Sequence, residues 1–114
     1  MDAQTLTDAA LDWYVAQATG VAVTIGRYYG EAVIYHAPFD GKEFAPSRDW
    51  AHGGPLLQRA NIGVTKHTSK GWHAHCGDMP RLCFKGATPL EAAMRCLVAQ
   101  KFGAQLPELP AELR

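Results

Sequence analysis

The residue types best suited to chemistry lie in one Gly/Pro-rich segment near the middle of the chain. A hydroxyl (Ser47), a carboxylate (Asp49) and an imidazole (His52) precede the flexible pair Gly53-Gly54. These are components of hydrolase sites, where a base activates a nucleophile. However, no nucleophile elbow and no acid–base pair at a defined spacing accompany them. We therefore predict that the protein is not an enzyme and has no cofactor.

The same segment is also suited to binding. Backbone N–H groups at a Gly-Gly-to-helix junction can hold an anion, arginines complement a phosphate or carboxylate, and an indole can stack on a planar ring. The candidate ligand-binding residues are Arg48, Asp49, Trp50, Gly53, Gly54, Arg59 and Trp72. A structural interpretation stays open, in which Ser47 or Asp49 caps a turn and Trp50 anchors the segment on the core.

Two histidines and a cysteine form a second group of candidates. His73 and His75 point to the same face if they lie in a strand, and Cys76 follows directly. Imidazole and thiolate are common zinc ligands. A third ligand from elsewhere in the chain would have to be His36, His52, His67 or Cys83. We expect solvent-facing histidines and no metal, and keep a metal-dependent enzyme using His73, His75 and Cys76 as an alternative.

The charge composition limits the partners of the protein. Lys plus Arg and Asp plus Glu both total 11, so no long-range positive field attracts nucleic acid or an anionic membrane. A nucleic-acid alternative rests on a local basic patch beside Trp72, made of Lys66, His67, Lys70, Arg81 and Lys85. Apolar runs such as residues 21–25 are far shorter than the roughly 20 residues that span a bilayer. We expect no membrane partner and a cytoplasmic location.

Periodicity and caps predict the elements that position these residues. Residues 5–20 favour a helix with a buried stripe of Leu11, Tyr14, Val15 and Ala18, which leaves Asp8, Asp12 and Gln17 off the stripe. Residues 21–25 and 32–35 are typical of a hairpin. Residues 62–65 and 72–76 predict a second hairpin, with a short edge strand at 82–84.

A capping box at residues 88–91 and Gly103 delimit a C-terminal helix in which Cys96 is a core residue. Residues 46–55 predict a long surface loop, followed by one helical turn that begins at Pro55. Three cysteines in separate segments favour reduced thiols.

The predicted fold class is α+β, in the order α-β-β-loop-β-β-α. An antiparallel sheet of about four strands carries the N- and C-terminal helices packed on one face. Residues 1–105 form a single domain, and residues 106–114 form a partly ordered C-terminal tail.

Three stretches resemble a known family. They are residues 46–59 (PSRDWAHGGPLLQR), 86–103 (GATPLEAAMRCLVAQKFG) and 11–20 (LDWYVAQATG). Together they resemble the NinX-like phage proteins over nearly the whole chain. The resemblance implies an origin in a phage or prophage, in an accessory region, and implies no activity. His52 and Gln58 depart from the amide and the acid expected there in many relatives.

The leading hypothesis is a non-enzymatic phage accessory protein that binds a host protein or a small anionic, nucleotide-like ligand. A long Gly/Pro segment carrying Trp50 and Arg48 motivates it, since long loops in compact domains tend to be functional. The alternatives are a nucleic-acid-associated factor of phage replication or recombination and the metal-dependent enzyme. Self-association as a homo-oligomer is a further possibility.

Overall fold

The computed structural model describes residues 2–37, 42–67, 71–76 and 79–114, with residues 79–82 described by their backbone. These residues form a 3₁₀ turn (Ala3–Thr5), helix α1 (Asp8–Thr19), strands β1 (Val23–Tyr28) and β2 (Glu31–His36), helix α2 (Trp50–Arg59), strands β3 (Ile62–His67), β4 (Gly71–Cys76) and β5 (Met79–Gly86), helix α3 (Pro89–Phe102) and a second 3₁₀ turn (Ala111–Leu113). The predicted α+β class is confirmed.

The strands of the described residues form two antiparallel sheets, β1–β2 and β3–β4–β5, where the sequence predicts one. The chain that follows β2 explains the separation. The Phe44 N–H donates to the Ile34 carbonyl at 2.7 Å, and Glu43 forms a β-bridge with Tyr35. This segment occupies the edge of β2 that β1 leaves free, so β3 cannot pair there. The predicted short edge strand is the longer β5.

Helix α3 is the centre of the core. Nine of its residues are buried, including Cys96 as predicted, and it contacts all the strands of the β3–β4–β5 sheet as well as α1 and α2. Helix α1 buries Leu11, Tyr14 and Val15 in the same core. Asp12, which the sequence pattern places off the buried stripe, is completely buried. The stripe is therefore wider than its apolar residues indicate.

The predicted loop at residues 46–55 is wrong, because α2 begins at Trp50 and contains Gly53, Gly54 and Pro55 in its interior. Asp49 caps the helix by accepting the Ala51 N–H at 2.9 Å. Gly53 is buried so closely that a Cβ would lie 2.3 Å from the Pro46 carbonyl oxygen. Packing of α2 on the preceding turn thus outweighs the low helix propensity of these residues.

Several described residues of the C-terminal segment contact the rest of the protein. The Tyr14 hydroxyl donates to the Pro107 carbonyl at 2.6 Å, and Leu109 is buried. These contacts hold residues that the sequence predicts to be partly ordered. Separately, no helix among the described residues has the length and apolar character needed to cross a membrane.

Candidate ligand-binding cleft at the helix amino ends

The amino ends of α1, α2 and α3 meet around one cavity of about 430 Å³. Its lining includes the first residue of each helix, namely Asp8, Trp50 and Pro89. The amino end of a helix carries a partial positive charge of roughly half a unit, because its first N–H groups have no partner within the helix. The fold therefore directs three such ends toward one place.

A second cavity, of about 620 Å³, adjoins the first and shares Arg48 and Trp50 with it. The remaining lining residues of the second cavity are Lys42, Glu43, Ala45, Asp49 and His52. We call the two cavities together the Arg48–Trp50 cleft. Both shared side chains border each of the two cavities, so a molecule bound in either cavity could touch them.

Arg48 is held at the cleft by two carboxylates. Its Nη2 lies 3.4 Å from Asp12 Oδ2 and 3.5 Å from Glu43 Oε2. The side chain is nevertheless 51% exposed, and its Nε and Nη1 make no hydrogen bond within the described residues. The guanidinium is thus positioned by the protein while most of its donors remain accessible to a ligand.

Trp50 faces solvent instead of anchoring the segment on the core. Its relative exposure is 53%, high for so large an apolar side chain. The ring lies along α2, since a Cβ added at Gly54 would be 3.7 Å from Trp50 Cε3. The structural interpretation in which Trp50 is a core anchor is therefore wrong, and an indole face is available beside Arg48.

A buried carboxylate lies beneath Arg48. Asp12 Oδ1 accepts the Ser47 N–H at 2.9 Å, which ties α1 to the turn before α2. Burial raises the pKa of Asp12 to about 6, against the lowering effect of its contacts with Ser47 and Arg48. Ser47 Oγ is also buried, and in the part of the chain that the structure describes it has no hydrogen-bond partner.

Of the three groups that suggest a hydrolase, the Ser47 hydroxyl is held apart from the Asp49 carboxylate and the His52 imidazole. His52 Nδ1 accepts the Ala45 N–H at 3.0 Å, and its Nε2 lies 3.9 Å from Asp49 Oδ2. Since Ser47 Oγ has no partner among the described residues, Ser47 and His52 are not paired as nucleophile and base. The imidazole packs against Phe44 and His36 instead.

The structure brings together only part of the candidate binding set. Arg48, Asp49 and Trp50 line the cleft. Gly53 and Gly54 are inside α2, where the Gly53 N–H donates to the Asp49 carbonyl at 2.9 Å, so the predicted anion-binding junction at these glycines is wrong.

Two of the candidate residues lie elsewhere. Arg59 lines a different cavity at the other end of α2. Trp72 is a half-buried residue of β4, with Lys66 Nζ 5.2 Å from its ring centre.

The alternative metal set divides between the two faces of β4. Cys76 is buried toward α3, where its Sγ lies 2.6 Å from Cys96 Sγ. His73 lies on the opposite face and stacks on His67 with ring centres 4.7 Å apart. His73, His75 and Cys76 therefore cannot converge on one ion. Among the described residues no group of three or more His, Cys, Asp or Glu side chains is arranged to hold a metal.

The predicted basic patch is also divided. Lys66 pairs with Trp72 across β3 and β4, whereas Lys85 pairs with His73 and belongs to the other face of the sheet. Lys70 and the side chain of Arg81 lie outside the described residues. The described lysines of this patch thus do not form one continuous surface.

Sequence patterns missed the contributions of α1 and α3 to the cleft. Asp8, Thr88 and Glu91 line it together with Ser47, although they lie far from residues 48–50 in the sequence. The one available signal is the set of helix caps. The sequence identifies Thr88 and Glu91 as a capping box, and the structure places that box at the cavity.

Comparison with known proteins identifies the family. The model of the family described as Bacteriophage P22, NinX matches residues 2–101. A comparison with curated protein sequences gives no match. The family match covers nearly the whole chain and confirms the resemblance seen in the sequence. The chain belongs to the phage P22 NinX family.

Proposed function

We propose that this NinX family member, a phage accessory protein, is a non-catalytic binding protein whose Arg48–Trp50 cleft takes a small anionic ligand with a planar ring. A nucleoside monophosphate has this chemistry. The observation that carries the proposal is the convergence of the amino ends of α1, α2 and α3 on a cavity that also presents Arg48 and Trp50. The proposal also places the protein in the cytoplasm of the host cell.

The linings of the two cavities contain two cations, Lys42 and Arg48, and four carboxylates, so an anion would be held locally by Arg48 and the helix amino ends and not by the net charge. The helix amino ends and Arg48 supply positive potential on one side. Asp8 and Glu91 also line the cavity, but Glu91 is already engaged, since it accepts the Ala87 N–H and lies 3.5 Å from Arg95 Nη1. Asp8 remains exposed at the rim. The ligand that fits best carries one phosphate or carboxylate and N–H donors on its ring that pair with Asp8.

Trp50 supplies the contact for the ring. An indole that is half exposed beside a guanidinium can stack on a planar heterocycle while the arginine binds the anionic group. The two cavities of the cleft give such a ligand room on either side of the pair, at volumes within the usual range of roughly 300–1,000 Å³ for small-molecule sites.

Isothermal titration calorimetry with adenosine monophosphate, adenosine and inorganic phosphate tests the proposal. The monophosphate is expected to bind more tightly than either fragment, because only it engages both side chains. Arg48→Gln and Trp50→Ala should each lower its affinity by about tenfold, the usual magnitude for one charge-assisted hydrogen bond or one stacking contact. Circular dichroism shows that each variant is folded.

The matched control is Arg59→Gln. Arg59 is an exposed arginine at the end of α2, the helix that Arg48 precedes, and lies outside the cleft. Its substitution should change the affinity for adenosine monophosphate by less than about twofold. Equal losses in Arg48→Gln and Arg59→Gln would mean general charge attraction, and equal affinity for all three compounds would reject the cleft as their site.

The sequence also predicts other partners. A host protein or a second copy of the chain could dock on the same exposed Trp50. A role with nucleic acid would need an affinity for DNA or RNA at about 50 mM salt, where phosphate contacts are strongest. No described feature favours these partners over the small anion, because the lysines of the basic patch lie on different faces.

A further inference from the structure

The carboxyl-terminal turns of α1, α2 and α3 line a cavity that is open to solvent, at the other end of the helices. Its volume is about 340 Å³. The apolar part of its wall comes from all three helices: Ala18 from α1, Leu56 and Ala60 from α2, and Leu97 from α3. Leu97 is buried and the other three side chains are half-buried against the core. The wall is therefore preformed by the packing of the helices.

Two cations border this apolar wall. Arg59 and Lys101 both line the cavity and are both exposed. None of the ion pairs between described residues involves either of them. Among the described residues that line the cavity there is also no Asp or Glu. An anion entering here would meet two cationic groups without displacing a carboxylate of the protein.

The helix ends limit which anion fits. Carboxyl ends of helices carry partial negative charge, and Arg59 and Lys101 balance this charge in the last turns of α2 and α3. The remaining positive potential suits a single negative charge and disfavours a phosphate ester of two. The apolar wall rewards a ligand that buries hydrocarbon beside that charge.

We propose that this cavity, here named the Arg59–Lys101 cavity, binds a small monocarboxylate with an aliphatic chain. The carboxylate lies between the Arg59 guanidinium and the Lys101 ammonium, and the chain lies on Leu56 and Leu97. Arginine can hold a carboxylate through two parallel N–H donors. This site is independent of the Arg48–Trp50 cleft, with which it shares no lining residue.

Titration with octanoate, octanol and acetate, followed by amide chemical shifts, tests the proposal. Octanoate should shift the amides of residues 18–19, 59–60 and 97–101. Octanol lacks the charge and acetate lacks the chain, so each should bind at least about tenfold more weakly. Equal affinity for octanoate and octanol, or no shift of these amides with octanoate at about 10 mM, would overturn the proposal.

Substitutions of Arg59 and Lys101 separate the contribution of the carboxylate to the binding of octanoate from that of its hydrocarbon chain. Arg59→Gln combined with Lys101→Gln should reduce the affinity for octanoate to that for octanol and leave the affinity for octanol unchanged. Arg48→Gln is the control, because Arg48 lies in the cleft. An unchanged octanoate affinity in the double variant, or an equal loss in Arg48→Gln, would also overturn the proposal. Arg59 and Lys101 are exposed and make no ion pair with a described residue, and circular dichroism shows that all the variants, Arg48→Gln included, are folded.

Discussion

The two ends of the helices both present cations to a cavity, but the electrostatic setting differs. At the amino ends Arg48 is balanced by Asp12 and Glu43, and the helices add positive potential. At the carboxyl ends Arg59 and Lys101 have no carboxylate partner among the described residues, and the helices add negative potential. The amino-end cleft is polar, and its cation Arg48 is held in place by two carboxylates. The carboxyl-end cavity has an apolar wall with two cations at its border.

The formal charge of each lining therefore does not by itself predict which anion the site binds. The lining of the carboxyl-end cavity has the larger formal positive charge, yet its helix ends offset part of it. The lining of the amino-end cleft contains four carboxylates, and one of them, Glu43, holds Arg48 in place together with the buried Asp12. A preorganised cation costs less to engage than a mobile one, because its side-chain entropy is already lost. We therefore expect the two ends to select different ligands.

The largest expected effect comes from Gly53, which packs the amino-terminal half of α2 against the chain. A Cβ at this position would lie 2.3 Å from the Pro46 carbonyl oxygen and 2.8 Å from Leu90 Cδ2. Because the first contact is with backbone, Gly53→Ala should displace α2 and lower the free energy of unfolding by more than about 3 kcal/mol. Urea denaturation measures the change.

Gly54→Ala is the matched control for this prediction. Its nearest contact would be an ordinary 3.7 Å to Trp50 Cε3, and alanine is the better helix former. The variant should be unchanged or more stable by up to about 1 kcal/mol. If both variants lose the same stability, the close approach of Gly53 to the Pro46 carbonyl oxygen does not account for the loss.

The next effect concerns the buried Asp12 of the amino end. Its pKa rises from 3.8 unfolded to about 6 folded, because burial disfavours the charged form. The folded protein therefore binds more protons than the unfolded protein between about pH 4 and 6. The stability that the folded protein gains from binding this proton at Asp12 is fully present below about pH 4 and is lost as the pH rises through about 6. The loss amounts to at most about 3 kcal/mol.

Comparison with Asp12→Asn isolates this contribution. The asparagine oxygen can still accept the Ser47 N–H but cannot ionise. The free energy of unfolding of the wild type minus that of Asp12→Asn should decrease as the pH rises from 4 to 7. A flat difference would show that Asp12 titrates normally in the folded protein. Arg59→Gln, at the other end, should leave this pH dependence unchanged.

The terminal helices could be predicted from the sequence because their signals are local. Thr88 Oγ1 accepts the Glu91 N–H as the predicted capping box requires, whereas the Glu91 carboxylate accepts the Ala87 N–H in place of the Thr88 N–H. Gly20 ends α1 with a φ of 77°. Helix α2 could not be predicted this way, since Gly53-Gly54-Pro55 has low intrinsic helix propensity. Its stability comes from contacts with Pro46 and Leu90, which no local pattern contains.

In the candidate site, too, the sequence predicted the residues that are neighbours in the chain and missed those brought together by the fold. Arg48, Asp49 and Trp50 are neighbours in the sequence and remain together in the cleft. Arg59 belongs to the same segment but lines the cavity at the carboxyl ends of the helices. It is the last of the ten residues of α2, whereas Trp50 is the first, so the length of the helix lies between them. The burial of Asp12 depends on Ser47, a distant residue, and nothing in the pattern of α1 indicates it.

A pair of single substitutions tests whether the two ends are separate sites. Arg48→Gln should weaken adenosine monophosphate about tenfold and octanoate less than about twofold, and Lys101→Gln should do the reverse. Calorimetric titration of one ligand in the presence of the other should give unchanged affinities. Competition between the ligands, or loss of both in one variant, would show a single site or a coupling between the ends.

The smallest effect distinguishes the helix caps at the amino end. Thr88 Oγ1 accepts the Glu91 N–H at 3.1 Å, whereas the N-cap of α1, Thr7, makes no side-chain capping bond. Thr88→Ala should therefore lower the free energy of unfolding by about 1 kcal/mol and Thr7→Ala by a few tenths. Chemical denaturation of both variants checks the difference. Equal losses would mean that α1 is capped as α3 is, and its free N–H groups could then no longer contribute to anion binding in the cleft.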